Sequence, residues 1–338
     1  MKVLLTGSQG YLGTVMAPVL QREGHEVTGL DVGWFAPMVL GPEPTDPPTL
    51  TTDLRDVTAA DLESFDAVIH LAALSNDPLG FLAPEITYDI NHHASSRLAR
   101  LAKEAGVGRF LYSSTCSVYG AAGTGLVAED ADLAPVTPYA ESKVRVEADL
   151  DELSDEDFVT CSLRNATAFG FSPRLRADIV LNNLVGHALL SGEVLVLSDG
   201  TPWRPLVHAA DIAEVFAAAL VAPADRVNGA KINVGTETNN VTVAEIAEAV
   251  AAETGATIRI TGEAGNDPRS YRVDFSLLRE LLPEAKVSWS IADGAKELVA
   301  AYTENGLTKD AFDHRFVRLA RIKQLLDAGE LDARLHVV

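Results

Sequence analysis

Short apolar runs alternate with longer amphipathic stretches through the first half of the chain. The apolar runs predict strands over 2–6, 25–30, 67–73 and 110–115. The stretches between them predict helices, one running from a glycine-rich turn towards Gly24 with a kink at Pro18, and a long one over 85–106. This alternation predicts an α/β fold, a Rossmann-type doubly wound parallel sheet with its ligand site at the carboxyl ends of the strands.

The first predicted strand runs directly into the turn Gly7-Ser-Gln-Gly10-Tyr-Leu-Gly13. Glycines between a strand and a helix let a pyrophosphate approach the backbone and meet the helix N-terminus. The second strand ends in Asp31, 21 residues beyond Gly10. A carboxylate there accepts both ribose hydroxyls of NAD and repels the extra phosphate of NADP. Together these features predict an NAD site rather than a glycine-rich turn that binds nothing.

The second half of the chain predicts elements of both kinds. Helices are expected over 178–190, 212–221, 242–254, 292–302 and 311–326, and strands over 194–197, 206–208 and 231–235. We expect a dinucleotide-binding domain of residues 1–170, completed by elements near 205–235. A smaller C-terminal α/β substrate lobe (171–204 and 236–290) and a helical tail (291–338) complete the chain. The tail carries an apolar stripe typical of packing against the body or another subunit, formed by Phe312, Phe316, Leu319 and Leu326.

Composition narrows the class of partner. The 27 basic residues against 48 acidic ones leave a formal charge of −21, which argues against nucleic acid and anionic membranes as partners. Cys116 and Cys161 fit a reducing cytosol and form no metal-ligand pattern, so no metal site is expected. A strand is predicted where a signal peptide would lie, and the best apolar run, 215–222, is too short to span a bilayer. We therefore expect a soluble cytoplasmic protein.

Tyr139 and Lys143 stand one helical turn apart in a helix predicted to begin at Pro138. A tyrosine hydroxyl ordinarily has a pKa of about 10, and a neighbouring ammonium favours the phenolate and lowers that pKa. Thr115 ends a central strand, where its hydroxyl can hydrogen-bond the reacting oxygen of a substrate while Tyr139 moves a proton. Alone, the pair also fits two surface residues sharing a face, and Thr115 fits a polar strand end. The glycine turn and the order of the three along the chain favour a catalytic site.

Taken together, the motifs resemble the extended short-chain dehydrogenase/reductase family, in its NAD-dependent nucleotide-sugar epimerase/dehydratase branch. The resemblance extends to about Leu282, and the stretch 199–213 is similar to that branch's second signature. It rests on TGSQGYLG (6–13), Asp31, Asp53-Leu54, HLAA (70–73), SSTCSVYG (113–120) and PYAESK (138–143).

The resemblance implies NAD as cofactor, a nucleotide sugar as substrate, and Thr115, Tyr139 and Lys143 as catalytic residues. It implies a cofactor site made of Gly7, Gly10, Tyr11, Leu12, Gly13, Asp31, Asp53, Leu54, Leu71, Ala72, Ala73, Asn91, Ser113, Tyr139, Lys143 and Asn165. The implied substrate contacts are Ser75, Asn76, Thr115, Thr167, Asn182, Asn183, Arg204, Arg269 and Arg272. A homodimer through the helices at 85–106 and 138–152 is also implied.

Three departures from the family pattern bear on the reaction. Sugar 4,6-dehydratases carry an Asp-Glu pair where Cys116 and Ser117 stand, so elimination of water has no evident catalyst. Asn165 and Thr167 replace an aromatic residue and an asparagine, and Asp31 replaces the basic or small residue expected with NADPH.

The leading hypothesis is an epimerase of a nucleoside-diphosphate sugar, acting through transient oxidation at C4 to a keto-sugar. An NAD(P)H-dependent reductase or dehydrogenase of a nucleotide keto-sugar, using the same three residues, stays open. A non-catalytic NAD-binding sensor or scaffold is a third alternative.

Overall fold

The computed structural model describes residues 1–75, 83–121, 125–262 and 270–338. Two of the predicted substrate-binding residues, Asn76 and Arg269, lie outside the described residues. The strands are β1 Lys2–Thr6, β2 Glu26–Leu30, β3 Thr49–Leu50, β4 Ala67–His70, β5 Arg109–Thr115, β6 Leu126–Val127, β7 Val159–Asn165, β8 Thr167–Phe169, β9 Glu193–Val196, β10 Trp203–His208, β11 Ala230–Val234, β12 Asn240–Thr242, β13 Thr257–Ile260 and β14 Arg272–Val273. The α-helices are α1 Tyr11–Arg22, α2 Pro84–Tyr88, α3 Ser95–Glu104, α4 Pro138–Leu153, α5 Val180–Ser191, α6 Ala209–Val221, α7 Ala224–Val227, α8 Val243–Thr254, α9 Ser276–Leu281, α10 Ile291–Glu304 and α11 Arg318–Asp327.

The largest sheet of the described residues has seven strands in the order β3-β2-β1-β4-β5-β7-β11. Every pairing in it is parallel. The chain therefore reverses its direction of travel across the sheet after β3, which opens a crevice at the carboxyl ends of β1 and β4. The predicted α/β fold with a doubly wound parallel sheet is confirmed.

The boundaries of several predicted elements were wrong, and three of them were ended early or interrupted. Strand β4 ends at His70 rather than at 73, because the amides of Leu71 and Ala72 turn to the Thr6 hydroxyl, at 3.2 Å each. The helix expected over 85–106 is interrupted by a π-helical turn at Asp89–Ala94. The helix expected over 311–326 divides into a π-helical turn and α11, because the chain becomes extended at Val317.

A second apolar core lies beside the sheet, where α5, α8 and α10 pack together. Their buried side chains include Leu181, Ile246 and Leu298. Helix α8 begins with the predicted capping box, in which Thr242 and Glu245 each bond the other's backbone amide. We continue to propose that this core belongs to a substrate lobe.

The C-terminal tail packs on the body of the same chain. Phe312 and Phe316 enter the second core, and the face of α11 packs against the loop that follows β2. No α-helix within the described ranges is long and apolar enough to cross a membrane.

Candidate active site

A cavity of about 660 Å³ opens at the carboxyl ends of the central strands. Most of the predicted site residues line it, although they come from distant parts of the chain. These are Gly7, Gly10, Tyr11, Leu12, Gly13, Asp31, Asp53, Leu54, Leu71, Ala72, Ala73, Ser75, Ser113, Thr115, Tyr139, Lys143, Asn165, Thr167, Asn183 and Arg204.

The glycine turn packs too closely for side chains. Gly7 has a φ of +70°, and a Cβ there would lie 2.9 Å from the Ala72 amide nitrogen. A Cβ on Gly13 would lie 2.2 Å from the Gly7 carbonyl oxygen. Helix α1 begins at Tyr11, so its first free amides face the cavity beside Gly10. This is the arrangement that binds a diphosphate.

Asp31 is held rigidly at the end of β2. Its carboxylate accepts the backbone amides of Gln9 and Gly33, at 3.0 and 2.8 Å. Burial raises the pKa of Asp31 above its ordinary value, and the two amides oppose that rise. Each carboxylate oxygen keeps lone pairs for a further donor. The geometry therefore fits a ribose diol.

Asp53 lines the cavity but is already paired. The Arg55 guanidinium binds both of its oxygens, with Nη2 2.7 Å from Oδ2. Burial favours the neutral carboxyl, yet Arg55 outweighs it and holds the pKa of Asp53 below its ordinary value. Arg55 also donates to the backbone carbonyls of Arg334 and Leu335. This part of the expected cofactor site is thus tied to residues 334 and 335.

The start of α4 fixes the Tyr139–Lys143 pair. Thr137 caps the helix by accepting the Ala140 amide at 3.1 Å, and Pro138 fills its first turn. The Lys143 ammonium donates to the Ser113 carbonyl at 2.6 Å and lies 5.6 Å from the centroid of the Tyr139 ring. Burial lowers the pKa of Lys143 to about 7, against the opposing effect of Glu147. The lysine therefore lies close enough to act on the tyrosine's proton equilibrium.

Thr115 and Ser117 face the cavity at the end of β5, whereas the residue between them does not. The Thr115 hydroxyl donates to the Ser117 hydroxyl and accepts the Ser117 amide, both at 3.1 Å. The Cys116 thiol is fully buried and donates to the Arg164 carbonyl at 3.0 Å. Burial also raises the pKa of the Cys116 thiol well above its ordinary value. Neither Cys116 nor Ser117 therefore supplies a carboxylic acid or an exposed thiol to the cavity.

Asn165 brings a buried acceptor to the same end of the cavity. Its Nδ2 donates to the Ser113 hydroxyl at 3.1 Å. Its Oδ1 is buried and has no hydrogen-bond partner within the described part of the chain. A buried carbonyl without a donor is costly, and the carboxamide of a bound nicotinamide would supply one. The described residues therefore fit both ends of NAD, with Asp31 at the adenosine ribose and Asn165 at the nicotinamide.

Three predicted residues that the structure describes lie outside the lining. Asn91 bonds the backbone amide and carbonyl of Leu74, at 2.7 and 3.0 Å, and so holds the loop after β4. The Asn182 side chain accepts the Gly170 amide and donates to the carbonyls of Gly170 and Arg176.

Arg272 is the third. Its guanidinium lies over the Trp203 ring, 4.9 Å from the centroid. The sequence reveals neither the backbone groups that Asn91 and Asn182 bond nor the ring that Arg272 lies over.

Several lining residues were missed by the sequence analysis. They are Trp34, Phe35, Ser117, Arg176, Asp178, Tyr271, Arg318 and Ile322, among others. Arg176 binds both oxygens of Asp178, each at 3.0 Å, and donates to the Ser75 hydroxyl at 3.0 Å. It also interacts electrostatically with Tyr139.

The missed residues of α11 had left one signal in the sequence. Arg318 stands on the same helical face as Ile322 and Leu325, which are both buried. An arginine on the apolar face of a helix needs polar surroundings for its guanidinium, and here it lines the cavity.

Residues 3–235 match the model of the NAD dependent epimerase/dehydratase family. The chain belongs to this family. The prediction of the family and of an NAD-dependent sugar-nucleotide epimerase/oxidoreductase is confirmed, and NAD is the cofactor of the family.

Relatives of the chain include both epimerases and a dehydratase. It is 29% identical to UDP-glucose 4-epimerase of Mycolicibacterium smegmatis (strain ATCC 700084 / mc(2)155), over 86% of this chain and 96% of the relative. Among solved structures it is similar to an NAD-dependent NDP-hexosamine 5,6-dehydratase involved in tunicamycin biosynthesis, with TM-score 0.80 and 25% identity over 90% and 98% of the two chains. It is also similar to UDP-glucose-4-epimerase from Stenotrophomonas maltophila with bound NAD and formylated UDP-arabinopyranose, with TM-score 0.78 and 27% identity over 90% and 99%. The family therefore leaves the reaction to be decided by the site.

Proposed function

We propose that this protein is an NAD-dependent epimerase of a nucleoside-diphosphate sugar that oxidises the sugar transiently at C4. The observation that carries the proposal is one cavity in which Thr115, Tyr139 and Lys143 meet the glycine turn and Asp31. We further propose a cytoplasmic location.

Tyr139 acts as the general base on the sugar hydroxyl and later returns the proton as the acid. Lys143, fixed by the Ser113 carbonyl, favours the phenolate form of Tyr139 through its charge. Gly10, Asp31 and Asn165 would hold NAD, which would supply a reversible acceptor for the hydride of the sugar carbon. Inversion would require the keto-sugar to turn over between the two hydride transfers. Tyr139 therefore serves both half-reactions.

Thr115 positions the reacting oxygen. Its hydroxyl is held by Ser117 at 3.1 Å, so turning it towards a substrate costs one neutral hydrogen bond that the substrate oxygen replaces. Ser117 then stands as a second hydroxyl beside the same oxygen. Two hydroxyls can stabilise negative charge that develops on a keto oxygen.

Loss of water from the sugar is disfavoured in this site. Such an elimination needs an acid beside the leaving hydroxyl and a base beside the carbon that loses its proton. The thiol of Cys116 points to the Arg164 carbonyl and is absent from the cavity lining. This favours epimerisation over the dehydratase activity named for one structural relative.

The substrate's diphosphate is assigned to the side of the cavity formed by Arg204 and Tyr271. Arg204 extends from β10 with its guanidinium anchored on the Trp203 carbonyl at 2.9 Å. A guanidinium matches phosphate oxygens, and the acidic surface elsewhere makes a local cation necessary. The sugar would then point towards Tyr139.

The experiment is the Tyr139→Phe variant, compared with Tyr88→Phe as a matched loss of one tyrosine hydroxyl. Tyr88 donates to Glu141 and does not line the cavity. Tyr139→Phe should retain NAD and lose turnover of a sugar-nucleotide panel by about 10²- to 10⁴-fold, the usual contribution of a general acid–base. Tyr88→Phe should stay close to the wild type. Near-normal turnover by Tyr139→Phe would reject the mechanism. Net reduction of a keto-sugar by the wild type would show that the protein is a reductase and not an epimerase.

A further inference from the structure

The C-terminal helix contributes a buried cation to the cofactor end of the cavity. Arg318, at the start of α11, is only 5% exposed and lines the cavity together with Asp31. It lies 305 residues beyond Gly13, the last glycine of the turn, and beyond the segment that matches the family model. Its position therefore needs an explanation from this chain itself.

Arg318 differs in its pairing from the two other arginines near it. Arg174 is neutralised by Asp46 at 2.6 Å, and Arg176 by Asp178 at 3.0 Å. Arg318 donates to the Met38 thioether at 3.0 Å and to the Arg174 carbonyl at 3.1 Å, and forms no ion pair with a carboxylate of the described ranges. Its guanidinium also lies 4.3 Å from the centroid of the Phe35 ring. None of these partners carries a negative charge.

The electrostatics agree with a cation that lacks its counter-ion. Burial and the neighbouring Arg176 lower the pKa of Arg318 to about 9, although Asp178 and Asp31 oppose the change. A buried charge without a paired opposite charge is costly, and a bound anion would repay that cost.

The neighbours of Arg318 indicate which anion it meets. Asp31, which fits the adenosine ribose, and Arg176, which interacts with Tyr139, both act electrostatically on Arg318. Arg174, whose carbonyl Arg318 bonds, donates to the Thr14 hydroxyl in the first turns of α1. In a dinucleotide the diphosphate lies between the adenosine and the nicotinamide riboside, and a helix N-terminus such as that of α1 binds it. The diphosphate is therefore the anion that these neighbours indicate.

The helix that carries Arg318 is firmly held. Ile322 and Leu325 are buried against the loop after β2, and the Arg321 guanidinium donates to the Trp34 carbonyl at 3.1 Å. The residues that follow are tied by Arg55 beside Asp53. Contacts of α11 and of the residues after it therefore fix the backbone that carries the Arg318 guanidinium.

We propose that Arg318 binds the diphosphate of NAD and that the C-terminal helix completes the cofactor site. This inference rests on NAD binding by the family and not on the sugar chemistry, so it stands if the proposed epimerase activity fails. It also predicts that the substrate's diphosphate is bound by other cations, on the Arg204 side.

The test measures nucleotide binding by the full-length chain without using turnover. Arg318→Gln removes the charge, Arg318→Lys keeps it without the guanidinium fork, and Lys323→Gln removes an exposed charge from the same helix. Each protein, freed of nucleotide, is titrated with ADP-ribose and with adenosine. The exchange of bound NAD against deuterated NAD is followed by mass spectrometry.

Arg318→Gln should weaken ADP-ribose binding by about 10- to 100-fold, the range for charge-assisted hydrogen bonds, and leave adenosine binding nearly unchanged. Its NAD should exchange faster by a similar factor, Arg318→Lys should fall in between, and Lys323→Gln should match the wild type. Equal losses for adenosine and ADP-ribose would show that Arg318 only supports the fold and would overturn the proposal. Unchanged NAD exchange with a raised KM for the sugar nucleotide would also overturn it and assign Arg318 to the substrate's diphosphate.

Discussion

Replacing Lys143 by methionine tests the electrostatics of the site without using the reaction. Lys143 is 2% exposed, and its pKa falls from 10.5 to about 7 on burial. A difference of that size corresponds to a penalty of about 5 kcal/mol on the buried ammonium. Methionine fills a similar volume without the charge, so removing the ammonium should stabilise the nucleotide-free protein.

The sign and the pH window follow from the same pKa. Because the folded-state pKa lies below the unfolded one, the unfolded chain binds more protons between about pH 7 and pH 10.5. The wild type therefore gains stability as pH rises through this window. Near pH 7 about 4 kcal/mol of the penalty remains, while methionine loses the bond to the Ser113 carbonyl at a cost of about 1 to 3 kcal/mol. Lys143→Met should be about 1 to 3 kcal/mol more stable near pH 7, and this advantage should vanish by about pH 10.

Urea unfolding of nucleotide-free protein at several pH values gives the measurement, since bound NAD would itself stabilise the folded state. Lys296→Met, an exposed lysine on α10, is the matched control and should show no such pH dependence. The difference in unfolding free energy between Lys143→Met and the wild type should change across the window. A constant difference would refute the claim that burial destabilises the Lys143 ammonium. The variant should also lose turnover, because Tyr139 loses the ammonium that lies 5.6 Å from the centroid of its ring.

Three further predictions concern the cofactor, the buried thiol and assembly. Asp31→Ala should weaken NAD binding and narrow the preference over NADP in titrations, and equal affinities of the wild type for both would contradict the role of this carboxylate. Cys116→Ala should keep most of its turnover because the thiol points to the Arg164 carbonyl, whereas a loss of about a hundredfold would indicate a chemical role. The chain should sediment as a dimer at micromolar concentration through the helices at 85–106 and 138–152, and a monomer would reject this interface.

The sequence predicted best those features that depend on local patterns. The glycine turn, Asp31 and the Tyr139–Lys143 pair each belong to one short segment whose conformation follows from its own residues. The sheet then brings the segments together, because parallel strands present their carboxyl ends on one edge. Their common cavity therefore agrees with expectation.

Features that depend on contacts between distant segments escaped prediction. Whether Asn182 meets a ligand or the Gly170 backbone depends on the path of a loop that no periodicity encodes. The same is true of Arg318, whose contacts with Met38 join residues far apart in the chain. The helix expected over 311–326 was too long because its apolar spacing continues across the break at Val317.

The most direct test of the proposed reaction follows the hydrogen at C4 of the sugar. The purified protein, with the NAD it retains and no added cofactor, is incubated with UDP-glucose and other sugar nucleotides carrying deuterium at C4. An epimerase that returns the same hydride should yield the C4 epimer with its deuterium retained and no net accumulation of NADH. Stoichiometric formation of NADH, loss of the deuterium to solvent, or a product that has lost water would contradict the account.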